Sequence, residues 1–197
     1  MSITLPKQNE FETAPQGTHF ATCFQVIDLG SQISEFNGEK KVHRKLRMAW
    51  ELPDELMKDG RPFSVNKSYN LSSNEKATLV VDVNSWRGRP FTTEEFGSFD
   101  LTILVGKSCL LQVVWKESKG KTFANVGAVM ALPKGQTSKT LINPPVKFSL
   151  DNFDQAVFDG LSEYLRTTIS ASPEYKQLKG TNDAEVNEAP ASEEAPF

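Results

Sequence analysis

The stretch from Glu39 to Leu52 admits one backbone conformation. Val42, Leu46, Met48 and Trp50 fall on one parity, Lys41, His43, Lys45 and Arg47 fall on the other, and Arg44 interrupts the apolar row. Period two belongs to a β-strand, whose successive side chains point to opposite faces; wound as a helix, the same apolar residues scatter. The segment predicts a strand with one buried and one strongly basic face. Phe63–Leu71 repeats the alternation, with Phe63, Val65, Tyr69 and Leu71 set against Ser64, Asn66, Ser68 and Asn70. Thr18–Leu29 is rich in β-branched and aromatic residues and ends at Gly30, a turn signal. Ser108–Lys116 and Thr122–Leu132 read as two further strands joined by a hairpin loop, Glu117 to Lys121.

Between and after the strands lie helix signals. Ser72 and Glu75 have capping-box spacing ahead of Ala77, Leu79, Val80, Val83 and Trp86, and Thr92 with Glu95 predicts a short helix to about Phe99. Phe153–Ile169 carries Phe153, Val157, Phe158, Leu161, Tyr164 and Leu165 at the spacing of one helix face, and Pro173 after Ser172 opens a last short helix. Five strands with a helix after the third, ahead of a hairpin, is the element order of an OB-fold, an order that other small barrels and α+β sheets share. The expected fold is mainly β with added helices: an OB-fold-like five-stranded barrel with a disordered acidic C-terminal tail.

Charge divides the chain. The formal charge of the 197 residues is −3, yet Gly180–Phe197 holds Asp183, Glu185, Glu188, Glu193 and Glu194 and no basic residue. Residues 1–179 therefore carry 22 basic against 20 acidic side chains, a charge of +2. A segment so poor in large apolar residues cannot offset its ordering entropy by burial, so 180–197 is expected to be disordered. The polar, Pro- and Gly-punctuated residues 1–17 read as a flexible arm, and 18–179 as the folded domain.

Several classes of function are disfavoured. No apolar run approaches the ~20 residues of a membrane helix, and Met1–Pro6 has neither the basic nor the apolar region of a secretion signal. Two cysteines, Cys23 and Cys109, are too few for a disulfide framework or a four-ligand zinc site, which fits a reduced cytoplasmic setting. Gly106-Lys107-Ser108 ends like a phosphate-binding loop, but Leu101 stands where that loop needs glycine. His19 and His43, the two histidines, stand in no metal-ligand spacing. No catalytic residue, cofactor or metal is expected.

The candidate site is a nucleic-acid surface. Lys41, His43, Lys45 and Arg47 recur about every 6.7 Å along one strand face, a row that a single-stranded phosphate backbone can track. Trp86-Arg87-Gly88-Arg89-Pro90-Phe91 interleaves aromatics with guanidinium groups, Trp86 either packing inward or offering a stacking face. Lys116, Lys119 and Lys121, with Phe123 beside them, make the hairpin a third basic and aromatic element. Stacking is expected from among Tyr69, Trp86, Phe91, Trp115 and Phe123. The terminal Phe197, after Pro196 on an acidic tether, suits a partner's pocket, and the free tail can compete with DNA for the basic face. Two other classes stay open: an interaction adaptor on a small β-barrel, and a nuclease, which needs three or more carboxylates in one cleft.

Glu193-Glu194-Ala195-Pro196-Phe197 resembles the acidic C-terminal tip of bacterial single-stranded-DNA-binding proteins, with Glu in place of Asp and Ala195 where a larger aliphatic is usual. That resemblance implies recruitment of replication, recombination and repair proteins through Glu193, Glu194, Pro196 and Phe197. From Phe20 to Leu132 the chain is similar to the OB-fold single-stranded-DNA-binding proteins of tailed phages. The strings that carry the similarity are Arg44-Lys45-Leu46-Arg47-Met48-Ala49-Trp50-Glu51-Leu52-Pro53, Ser73-Asn74-Glu75-Lys76-Ala77 and Ser85-Trp86-Arg87-Gly88-Arg89-Pro90-Phe91-Thr92. It implies a non-enzymatic protein that coats single-stranded DNA without strong sequence preference.

Overall fold

The alternating stretches build an antiparallel sheet of long strands. The computed structural model describes residues 12–186 except Asn37 and Ser73. The strands are β1 (Gly17–Phe36), β2 (Glu39–Leu56), β3 (Pro62–Asn70), β4 (Ser108–Ser118) and β5 (Lys121–Met130), hydrogen-bonded in the order β3-β2-β1-β4-β5, with β6 (Val146–Phe148) parallel to β1. The helices are α1 (Thr78–Arg87), α2 (Gln155–Asp159), α3 (Glu163–Ser170) and α4 (Pro173–Val186), and a 3-10 turn spans Leu101–Leu104. The protein is mainly β. β3 and β5 approach within 8 Å, Cα to Cα, but no ladder joins them among the described residues, so the sheet is not closed. No helix among the described residues is long and apolar enough to cross a membrane.

β1 is buried on both faces, and this organises the molecule. Val26 faces one apolar cluster with Leu46, Met48 and Trp50 of β2, Val65 and Tyr69 of β3, Leu79, Val83 and Trp86 of α1, and Cys109, Leu111 and Val113 of β4. Ile27 and Leu29 face a second cluster with Phe148, Leu150, Phe158, Leu161, Leu165 and Ile169. At about 1.5–3 kcal/mol for each fully buried large apolar side chain, the second cluster suffices to hold the helical layer on the outside of β1.

Several boundaries differ from expectation for local reasons. Gly30 does not end β1: it takes φ +68° at a register shift between Asp28 and Gly30, its N–H donating to Asp28 Oδ1 at 2.9 Å, and the strand continues to Phe36. The Ser72/Glu75 box does not cap α1, which starts at Thr78 without a side-chain cap; Ser72 Oγ accepts instead from Asn74 N–H. Thr92 and Glu95 do exchange capping-box hydrogen bonds, at 3.1 and 3.3 Å, yet they close turns rather than an α-helix. The hairpin turn contracts to Lys119-Gly120, both at positive φ, the conformation a two-residue turn between twisted strands needs. The expected Phe153–Ile169 helix is split at Gly160, which caps α2, and α3 restarts after Ser162.

The outer segments also differ. Within the expected flexible arm, Ala14 is buried and its carbonyl accepts from Trp115 Nε1 at 2.8 Å, so residues 12–16 lie along the sheet. α4 begins at Pro173 as expected but runs to Val186, past the expected start of the tail. Residues 1–11 and 187–197, with the Glu193, Glu194, Pro196 and Phe197 tip, lie outside the described residues. Cys23 and Cys109 are free and fully buried; burial pushes the Cys23 thiol up to about 12 and the Cys109 thiol well above its ordinary value. Both should resist a thiol reagent at neutral pH in the folded protein and react fully in denaturant, which an absorbance assay of released thiolate reads.

Candidate nucleic-acid interface

The basic row of β2 lies on the outer face of the sheet, opposite Leu46, Met48 and Trp50. Its rungs with β3 are Lys45 to Asn70, Arg47 to Ser68 and Ala49 to Asn66, so a cationic strand faces a neighbouring row of uncharged polar side chains. Arg47 is half-buried and held by two neutral oxygens, Gln25 Oε1 at 2.7 Å and Asn66 Oδ1 at 3.3 Å. Burial of the guanidinium lowers its pKa. Among the described residues no carboxylate pairs with it. Lys45 and His43 continue the row, and Lys41 ends it exposed, 3.2 Å from Glu39.

Arg44, which breaks the apolar parity, has a structural task. Its guanidinium bridges Asp28 and Asp151, and the hydrogen bonds it donates to the Asp28 carboxylate hold its pKa above the ordinary value. The bridge ties β2 to β1 and to the segment ahead of α2.

The Trp86–Phe91 element is not a free binding loop. Trp86 is 7% exposed, packs against Trp50 with ring centroids 6.0 Å apart, and donates Nε1–H to the Ser108 carbonyl. Arg87 lies over Phe91 and Phe99, 4.5 and 4.9 Å from their centroids, and pairs with Glu95 at 2.6 Å. Arg89, though exposed, makes a two-pronged pair with the same carboxylate, at 2.7 and 2.9 Å. These arginines and the Thr92 N–H pull the Glu95 carboxyl down to about 2. Tyr69 is also core: it is 3% exposed and donates its hydroxyl to Asp82 Oδ2, burial raising its pKa. Tyr69 and Trp86 are therefore closed to bases, Phe91 is engaged by Arg87, and Arg87 and Arg89 share the single Glu95 carboxylate.

The hairpin keeps its open chemistry. Lys116 stands opposite Phe123, and Lys121 opposite Ser118, so Lys116, Phe123 and Lys121 share one face with Lys119 in the turn, while Trp115 is on the other face. Phe123 and Trp115 are 43% and 49% exposed. This patch is remote from the β2 row: Arg47 is opposite Ile27 and Val113 opposite Gly17, ten residues or ~33 Å along β1. The two groups lie toward opposite ends of that strand.

A cavity of about 500 Å³ opens between β2, α1 and the 91–102 segment, with Asp28, Glu95, Asp100 and Asp151 on its lining. All four are engaged: Asp28 and Asp151 by Arg44, Glu95 by Arg87 and Arg89, Asp100 by the N–H and hydroxyl of Thr102. No three described His, Cys, Asp or Glu side chains converge to hold a metal ion. Sequence reasoning missed Tyr164, which reads as a core position of a continuous helix but is exposed beside Arg47; the signal was Gly160, which breaks that helix and resets its phase. No family model matches the chain, and no curated protein matches it in sequence.

Proposed function

We propose that this is a non-enzymatic single-stranded-DNA-binding protein built on an OB-fold-like barrel. The strand order, α1 between β3 and β4, and the approach of β3 to β5 support the barrel reading. The observation that carries the function is Arg47: a half-buried cation with only neutral partners, on a face that has Lys45, Asn66, Ser68 and Asn70 around it and no acidic side chain on those rungs. Placing a phosphate there supplies the missing counter-charge, and amide and hydroxyl donors suit a phosphodiester without selecting a base. The hairpin group of Lys116, Lys119, Lys121 and Phe123 is a second contact for a longer strand. The tip at Glu193, Glu194, Pro196 and Phe197 serves to recruit replication or recombination proteins.

The test is titration with oligo-dT at several salt concentrations, read by anisotropy of a labelled oligonucleotide. Binding should weaken steeply with salt. Each single-strand phosphate contact contributes about 0.7 to the slope of log affinity against log salt, so Lys45→Gln with Arg47→Gln should reduce the slope by about 1.4. Absence of salt-sensitive binding, or an unchanged slope in the double variant, overturns the reading.

A further inference from the structure

The basic face of β2 has a wall. α3 packs over β1, and its Thr168 carbonyl accepts from Gln32 Nε2 at 3.0 Å; Gln32 is the register partner of His43. One turn earlier on the helix stands Tyr164, whose carbonyl accepts from Thr168 Oγ1 at 2.8 Å. The helix therefore passes the strand at Gln32 through its main chain, with Leu165 and Ile169 facing inward and Tyr164 one turn further back beside them. Arg47 is within electrostatic reach of Tyr164, and Leu165 is in the same buried cluster as Ile27, the register partner of Arg47. α3 thus runs beside the basic row, with β3 on the row's other side.

Tyr164 is 75% exposed, the most open large apolar or aromatic side chain of the described chain. Its hydroxyl has no hydrogen-bond partner among the described residues. Leu165 and Ile169 anchor the helix, so the ring adds nothing evident to packing while occupying the rim of a cationic face. A phosphate on Arg47 leaves the attached base to find a surface near by. The core claims Tyr69 and Trp86, and Phe123 lies toward the far end of β1, whereas Tyr164 is an open aromatic beside that row.

We propose that Tyr164 stacks on a base of the single strand held by Lys45 and Arg47, making α3 part of the binding surface. This deepens the reading of the β2 face as a DNA surface and rests on it. Stacking asks for a π-face and little else, so any base serves and the hydroxyl is dispensable.

The experiment compares full-length wild-type, Tyr164→Phe and Tyr164→Ala proteins on oligo-dT and on an abasic strand of equal length. Tyr164→Ala should weaken oligo-dT binding about tenfold, the order that loss of one stacked base produces. Tyr164→Phe should bind as wild type, and the salt slope should be the same in all three because a stack releases no counterion. On the abasic strand the three proteins should be equal. Wild-type affinity in Tyr164→Ala, or an equal loss on the abasic strand, overturns the stacking assignment and leaves the β2 face standing. Failure of wild type to bind oligo-dT overturns both.

Discussion

Gly30→Ala should destabilise the protein by about 2–5 kcal/mol, seen as a lowered midpoint of urea unfolding. Two costs combine. At φ +68° an alanine pays ~1–2 kcal/mol for the left-handed conformation. Its Cβ would also stand 2.5 Å from Ser172 Cβ, 2.6 Å from Ser172 Oγ and 2.8 Å from Leu150 Cδ1, and overpacking a closed site costs a further ~1–3 kcal/mol. Neither neighbour can yield easily, because Ser172 and Leu150 are themselves buried under the helical layer. Ser172→Gly in the same chain should recover only the Ser172 share of the clash, leaving the Leu150 contact and the conformational part, and it gives up the hydrogen bond from the Tyr175 N–H to Ser172 Oγ. The loss should fall first on the outer layer, so hydrogen exchange in 150–179 should rise before the tryptophan signal of Trp50 and Trp86 changes. A Gly30→Ala midpoint equal to wild type would remove Gly30 as the point where the outer layer closes on β1.

Gly30 also shows where sequence reading ran out. The alternation of Leu46, Met48 and Trp50 against Lys45 and Arg47 was legible because period two depends only on strand geometry, and β2, β3 and the β4–β5 hairpin stand close to where it puts them. A glycine after an apolar run, in contrast, marks equally a turn or a bulge. Only the helices that close over β1 make it a bulge here, and those contacts are more than a hundred residues away in the chain. Trp86, Arg87 and Arg89 had the composition of a binding loop, and what withdraws them is tertiary: the Ser108 carbonyl for the indole and Glu95 for both guanidinium groups. Arg47 was legible as a basic residue on an outer face. Its lack of a carboxylate was not, since pairing is decided by neighbours the periodicity does not name.

The second large effect is expected at Glu51. In sequence it is merely the acidic residue that closes the basic run. In the structure it is fully buried, accepting from the Ile142 and Asn143 main-chain N–H groups at 2.7 Å each and from Asn143 Nδ2 at 2.8 Å. It pins the irregular segment between β5 and β6 onto the same outer face of β2 that carries Lys45 and Arg47. A buried carboxylate is tolerable when several N–H dipoles point at it, and those N–H groups depend on the carboxylate in turn. Glu51→Ala leaves two main-chain donors without an acceptor, at ~1–3 kcal/mol each, so a loss of about 2–6 kcal/mol is expected in urea unfolding. Glu51→Gln retains one oxygen and presents an NH2 where an acceptor is needed; its loss should be intermediate. Exchange of the 142 and 143 amides should quicken in both variants, while the Lys139–Asp54 pair, largely exposed, is too weak to hold the segment alone. A Glu51→Ala protein within about 0.5 kcal/mol of wild type, the range of ordinary surface substitutions, would refute the pin.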